Sequence, residues 1–225
     1  MKTLLLITGI LIAGLFLQCD GNSSLFFNAR KATADSLRKA DSINTSLLFS
    51  KADLAKTYCV KNKFDTSICL LLNMREHSGN FRFYVWDFNT NNAVDSGLVS
   101  HGCGSHPWGI DASANNPVFS NIPESHTSSL GKYKIGKRDV SQWGVGIKYY
   151  LFGLESTNSK AYERQIVFHS WDKIPDVATY PIGAPEGWGC PAISNSFFNR
   201  IDSMLIASNK PVLLWIFNEK TKKNG

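Results

Sequence analysis

What this 225-residue chain lacks already narrows its function. Its longest apolar run, Leu4 to Leu17, counts 14 residues. A helix needs about 20 to cross a bilayer, so the run reads as an export signal and not as a permanent span. No cluster of Lys and Arg with interleaved aromatics occurs, which removes the electrostatic stripe that nucleic-acid binding requires. His101, Cys103 and His106 lie close in sequence, but no second Cys-x-x-Cys or His-x-x-x-His pair completes a metal site, so no metal is expected. Internal repeats and low-complexity segments are also missing.

What is present is a chain able to bury a sizeable core: 43% of its residues are hydrophobic and 12% aromatic, enough for one domain with an N-terminal extension. The balance of 24 basic against 18 acidic residues, a net charge of +6, suits an anionic cell-wall or membrane surface. Lys2 precedes the apolar run, and Cys19 follows it, ahead of the polar stretch Asp20-Gly21-Asn22-Ser23-Ser24. A cysteine in that place reads as the lipidated N-terminus of a bacterial lipoprotein. Gln18 stands where a small residue is expected, and cleavage near Gly21 by an ordinary signal peptidase and an uncleaved anchor are the alternatives.

Three parts follow: an export signal over 1–19 ending in the lipidation cysteine, a helical stalk or linker over 20–50, and a folded domain over 51–225. Ala29, Leu37, Ala40, Ile43 and Leu47 recur at mostly helical spacing in the stalk, and a second helix is expected near 51–61. Strands are expected over 67–74, 81–88, 93–101, 131–136, 146–152, 165–169 and 211–217. Alternation within 81–88 places large side chains on both faces, so burial there is two-sided. Ser194 to Ala207 reads as a helix. The fold class is α+β and β-rich.

The chemistry centres on Gly187-Trp188-Gly189-Cys190-Pro191, with His169 standing 21 residues upstream at the end of Ile166-Val167-Phe168. A thiol becomes a useful nucleophile near neutral pH when a base or a positive charge assists its ionisation. Gly189 lets the backbone approach a reacting carbonyl, and the N–H groups of Cys190 and Gly189 can be aimed at its developing charge. Trp171 and Trp188 flank this pair and offer a platform for a sugar or an aliphatic peptide. Ser100-His101-Gly102-Cys103 is a second thiol motif, and Cys103 is the alternative nucleophile. Cys59 and Cys69 are read either as a disulfide or as buried free thiols.

Three blocks carry a family resemblance: Phe119 to Gly131, Arg164 to His169, and Trp188 to Ala192. In order and spacing they resemble the murein L,D-transpeptidase catalytic-domain family, over roughly residues 53 to 217. The resemblance implies an L,D-transpeptidase-like catalytic domain of an exported, periplasmic or outer-membrane lipoprotein, tethered by lipid at Cys19 and monomeric. It needs no cofactor and acts on peptidoglycan stem tetrapeptides. Cys190 would be the nucleophile, His169 the base and Gly189 part of the oxyanion hole; Trp188, Gly187, Trp171, Arg164, Ser128 and Ser129 would bind substrate. A carboxylate on the substrate would meet Arg164 first, with Arg138 and Lys137 behind it. The chain departs from the family at Ser170, Glu186 and Gly187, where Gly, Arg and Ser are usual. Those changes keep open an L,D-carboxypeptidase, or a non-catalytic peptidoglycan-binding lipoprotein of the same fold.

Overall fold

The computed structural model describes residues 45–219. The export signal, Cys19 and the stalk up to residue 44 lie outside the described residues.

A helix, α1, occupies 45–62. It joins the end of the expected stalk helix to the expected second helix in one element. Leu48, Ala52, Ala55 and Cys59 recur at steps of four, three and four and are buried, which is the stripe a helix lays on a sheet. The strands are β1 (Ile68–Asn73), β2 (Phe83–Asp87), β3 (Asn92–Gly97), β4 (Gly131–Val140), β5 (Ile147–Gly153), β6 (Val167–Ser170), β7 (Ala192–Ile193) and β8 (Leu213–Phe217), with a helix, α2 (Asn195–Ala207), between the last two. They form one sheet in the order β3-β2-β1-β8-β4-β5-β6-β7. β1 with β8 and β6 with β7 are parallel, and the other neighbours are antiparallel.

The middle of the sheet is covered on both faces, because side chains of successive strand residues point to opposite sides. Cys69, Leu71, Leu213, Trp215 and Phe217 pack with Trp86, Phe88 and the α1 stripe. Leu70, Leu72, Leu214 and Ile216 pack with Phe83, Val85 and the α2 residues Phe197, Phe198 and Ile201. The two-sided burial expected of β2 is present: Phe83, Val85, Trp86 and Phe88 are all buried. Cys59 and Cys69 are both buried free thiols. α2 starts at Ser194, whose hydroxyl accepts from Phe197 N–H, a cap that satisfies one of the helix's unpaired donors.

β4 runs four residues further than expected, through a bulge between Ile135 and Arg138. β3 ends at Gly97, so residues 98–101 leave the ladder and carry His101 into the loops. The two-residue β7 has no signal of its own in the sequence; it forms because β6 is there to pair with. That pairing, His169 with Ala192 and Ser170 with Ile193, turns the interval of 21 residues into neighbouring strand ends.

Candidate active site

Cys190 stands two residues before β7, and its thiol lies against the start of β6: Val167 N–H donates to Sγ at 3.4 Å, and the thiol donates to the Gln165 carbonyl at 3.8 Å. Gln165 has a left-handed backbone, φ 56°, an uncommon conformation for a residue with a side chain and one that concentrates at functional sites. Burial raises the Cys190 pKa, while the Val167 N–H, Arg164 and Lys148 oppose that rise. The resting group is therefore a thiol, and its use as a nucleophile would need a base to take its proton.

His169 is placed to be that base. Its Nδ1 lies 2.8 Å from the Ser170 carbonyl oxygen. A carbonyl only accepts, so Nδ1 carries the proton and the lone pair sits on Nε2. Among the described residues nothing bonds to that Nε2. Burial pulls the His169 pKa down, outweighing the Ser170 carbonyl, and Lys148 adds to the lowering, so the imidazole is neutral at neutral pH. Ser170, where the family carries Gly, accepts Val145 N–H on its hydroxyl at 2.9 Å and thereby fixes the β4–β5 loop that bears Trp143.

The loop before the cysteine is held from behind. Gly189 has φ 104°, and a Cβ there would stand 2.4 Å from the Thr127 carbonyl oxygen, so only glycine fits. Ser128 Oγ donates to the Gly189 carbonyl at 3.1 Å and accepts from Gly102 N–H; Ser100 Oγ donates to the Cys190 carbonyl at 3.2 Å. With those carbonyls fixed, the N–H groups of Gly189 and Cys190 are left over. Among the described residues neither has an acceptor. Two unpaired main-chain donors beside a thiol are what an oxyanion needs.

Cys190 and His169 are shared by two cavities. The larger, about 930 Å³, is a groove whose lining includes Lys148, Tyr150, Arg164, Gln165, Trp143 and Trp188. The smaller, about 80 Å³, is walled by Trp108, Trp143, Trp171 and Trp188, with Ser100, Gly187 and Ala192. Trp171 is buried and stacked on Trp108 at 5.1 Å, and Trp188, 59% exposed, stacks on His126 at 5.7 Å. Gly187 lines this second cavity, and a Cβ there would meet nothing nearer than Ser100 Oγ at 3.9 Å.

Other expected residues are turned to the protein itself. Arg164 donates to Ser120 O, Ser129 Oγ, Ser125 Oγ and Thr127 O at 2.6–3.2 Å, clamping the loop of residues 120–129. Ser129 Oγ donates to Ser120 O, and Ser128 is engaged as described. Glu186, in place of the usual Arg, is fully buried and faces away from the groove. Its Oε1 accepts from the Ser113 N–H and hydroxyl and lies 3.5 Å from His101 Nε2. Burial pushes its carboxyl up, but the His101 and Ser113 hydrogen bonds prevail and hold it below its ordinary value.

His101 Nδ1 in turn meets Arg82 Nη2 at 2.8 Å. Arg82, also fully buried, donates to Val99 O and Glu76 O. The carboxylate is thus the counter-charge, through a neutral imidazole, of a buried guanidinium. Main-chain bonds from Gly109 N to Glu186 O, Glu186 N to Ile110 O and Gly187 N to His101 O pin the loop of residues 100–114 to the cysteine loop.

Sequence reasoning missed Trp108, Trp143 and Lys148. Trp108 and Trp143 stand in loops with no periodicity to orient them, and Lys148 reads as an ordinary strand residue until β5 is laid beside β6.

Comparison with known proteins agrees with this architecture. The L,D-transpeptidase catalytic domain matches residues 39–215. Among curated proteins, none matches. Similar solved structures include a variant of the helical cell shape determining protein Pgp2 from Campylobacter jejuni, at 11% identity and TM-score 0.44, covering 71% of this chain and 51% of that one. Bd1075 of Bdellovibrio bacteriovorus follows at 13% and 0.41, covering 71% and 50%. An L,D-transpeptidase from Xylanimonas cellulosilytica shows 10% and 0.37, covering 72% and 68%. The chain spans about half the length of the first two. With most of its length matched by the domain, the chain belongs to the L,D-transpeptidase catalytic-domain family.

Proposed function

We propose that this protein is a cell-wall-modifying cysteine enzyme that transfers acyl groups from peptidoglycan stem tetrapeptides through a thioester on Cys190. The observation that carries this reading is the coincidence, at one groove, of the Cys190 thiol, a neutral His169 with its Nε2 lone pair free, and the unpaired N–H groups of Gly189 and Cys190.

As Cys190 Sγ bonds to the carbonyl carbon at the L-centre of the diamino acid, His169 Nε2 takes the thiol proton. The negative oxygen of the tetrahedral intermediate sits between the two main-chain donors. The C–N bond to the terminal D-amino acid then breaks, and His169 returns its proton to the leaving amine. An amine of a second stem then takes the acyl group to give a cross-link and restore the thiol; water in that role gives a tripeptide and L,D-carboxypeptidase activity. Gly189 is the hinge of the donor pair, Trp188, Trp171 and Gly187 wall the smaller cavity, and Arg164, Ser128 and Ser129 serve binding by holding the loop of residues 120–129 in shape. The protein works outside the cytoplasm as a monomer, with Cys19 as its lipid anchor on the periplasmic side of a bacterial membrane.

The test is incubation with purified muropeptide tetrapeptides, followed by mass spectrometry of the products. Cys190-dependent loss of the terminal D-amino acid, with an acyl-enzyme mass on trapping, is the expected result. Dimers against tripeptides separate transfer from hydrolysis. Sacculus binding that survives Cys190→Ala with no turnover in the wild type would replace this reading with a binding lipoprotein.

A further inference from the structure

Three cations were expected from the sequence to meet a substrate carboxylate, and the structure engages two of them elsewhere. Arg164 makes four hydrogen bonds to the loop of residues 120–129. Arg138 forms a two-pronged pair with Asp202 at 2.9 and 3.0 Å. Lys137 is exposed and is not part of the groove.

The groove's other cation is Lys148. It stands on β5 directly opposite His169 on β6, half-buried, with its ammonium 5.3 Å from the centre of the Tyr150 ring. Among the described residues no carboxylate lies within ion-pair distance of it. Asp139, its register partner on β4, is already bonded by the Tyr150 hydroxyl and Val140 N–H, both at 2.8 Å. Glu163, exposed, is the acid that lines the same groove. Burial is the largest influence on both Cys190 and His169; Lys148 acts on both as well, lowering each, so its charge is within electrostatic reach of the reacting pair.

We propose that Lys148 is the anion anchor of the groove and binds the α-carboxylate of the residue that leaves, restricting the site to peptide C-termini one residue beyond the scissile bond. This rests on the acyl-transfer reading above. Distance favours that carboxylate: it stands within one residue's length, about 3.8 Å, of the reacting carbonyl, and the backbone of Lys148 is one strand spacing, about 5 Å, from that of the base. Charge favours it too. A half-buried ammonium with no carboxylate within ion-pair distance, among the described residues, is stabilised by an incoming carboxylate and gains little from a neutral amide or a continuing chain.

Calorimetric titration of the full-length Cys190→Ala protein with a stem tetrapeptide, as the free acid and as its C-terminal amide, tests the anchor without turnover. The free acid should bind about tenfold tighter. Lys148→Met should bring acid and amide to the same affinity, while Lys148→Arg should keep the preference and show that the groove is intact. In the protein with Cys190 restored, the same preference should appear in KM.

Equal affinity for acid and amide, or a preference that persists in Lys148→Met, overturns the anchor and leaves the acyl-transfer reading standing if Cys190-dependent turnover is seen. Failure to bind either peptide together with absence of turnover overturns the stem-peptide reading and the anchor with it.

Discussion

Two histidine–cysteine pairs meet where the loop of residues 100–114 and the cysteine loop are joined by a bridge between Gly102 and Gly187. In the first pair both nitrogens of His101 are occupied: Nδ1 accepts from Arg82, and Nε2 faces Ser113 at 2.9 Å and Glu186. Cys103 is 3% exposed, lines neither cavity, and its thiol faces the Gly104 carbonyl. In the second pair His169 keeps its proton on Nδ1 and has Nε2 free, and Cys190 opens on both cavities. The same two residue types thus hold opposite tautomers because one ring faces a guanidinium and the other a carbonyl. What separates the two pairs is which ring nitrogen the surroundings leave unbonded.

The largest contrast is expected from the thiols. Cys190→Ala should abolish turnover and any acyl adduct seen by mass spectrometry, and Cys103→Ala should leave both largely intact; the reverse result would exchange the roles of the two loops. His169→Ala should lower turnover by about 10²–10⁴-fold, the contribution of a positioned base. Because burial depresses His169, its neutral, proton-accepting form persists below the ordinary value of about 6.5, so the acid limb of the rate profile should lie below that pH. Because burial raises Cys190, alkylation of its thiol should rise through a half-point above about 8.5. A half-point well below that would mean a preformed thiolate–imidazolium pair.

Glu186→Ala should act through the first pair, leaving the buried Arg82 charge without the larger of its two counter-charges, Glu186 and Glu76. A loss of about 3 kcal/mol of unfolding free energy in denaturant titration is expected, whereas Glu186→Gln should lose less because Ser113 can still donate to the amide oxygen. The two bridging glycines differ, and the smallest effect belongs to Gly187. A Cβ at Gly102 would stand 2.2 Å from the His126 carbonyl oxygen, so Gly102→Ala should lower the melting temperature. Gly187 has open space, so Gly187→Ser should change stability by less than about 0.5 kcal/mol. Any change in its turnover would report on the smaller cavity directly.

Much of this molecule was readable from residue order. Strand alternation marked β2 as buried on both faces, Ser194 announced the start of α2, and the Gly189-Cys190 pair with His169 upstream marked one site. The family resemblance over the three blocks was also visible, and the domain match covers it. Other features had no local signal. β7 is two residues long and exists only as a partner for β6. Arg164 looked free to meet a substrate until its four acceptors were folded around it. Glu186 looked like a charge reversal in the binding site, and it is instead a buried counter-ion.

The sequence by itself determined the alternating core and the helix cap, and it singled out Cys190 and His169 as candidates, because these depend on residue type and on spacing along the chain. Only the tertiary structure decided which cation faces the groove, which histidine nitrogen is free and which cysteine is open. Those properties depend on partners from distant segments: each hydrogen bond that fixes a tautomer or occupies a guanidinium joins residues whose proximity exists only after the sheet has closed.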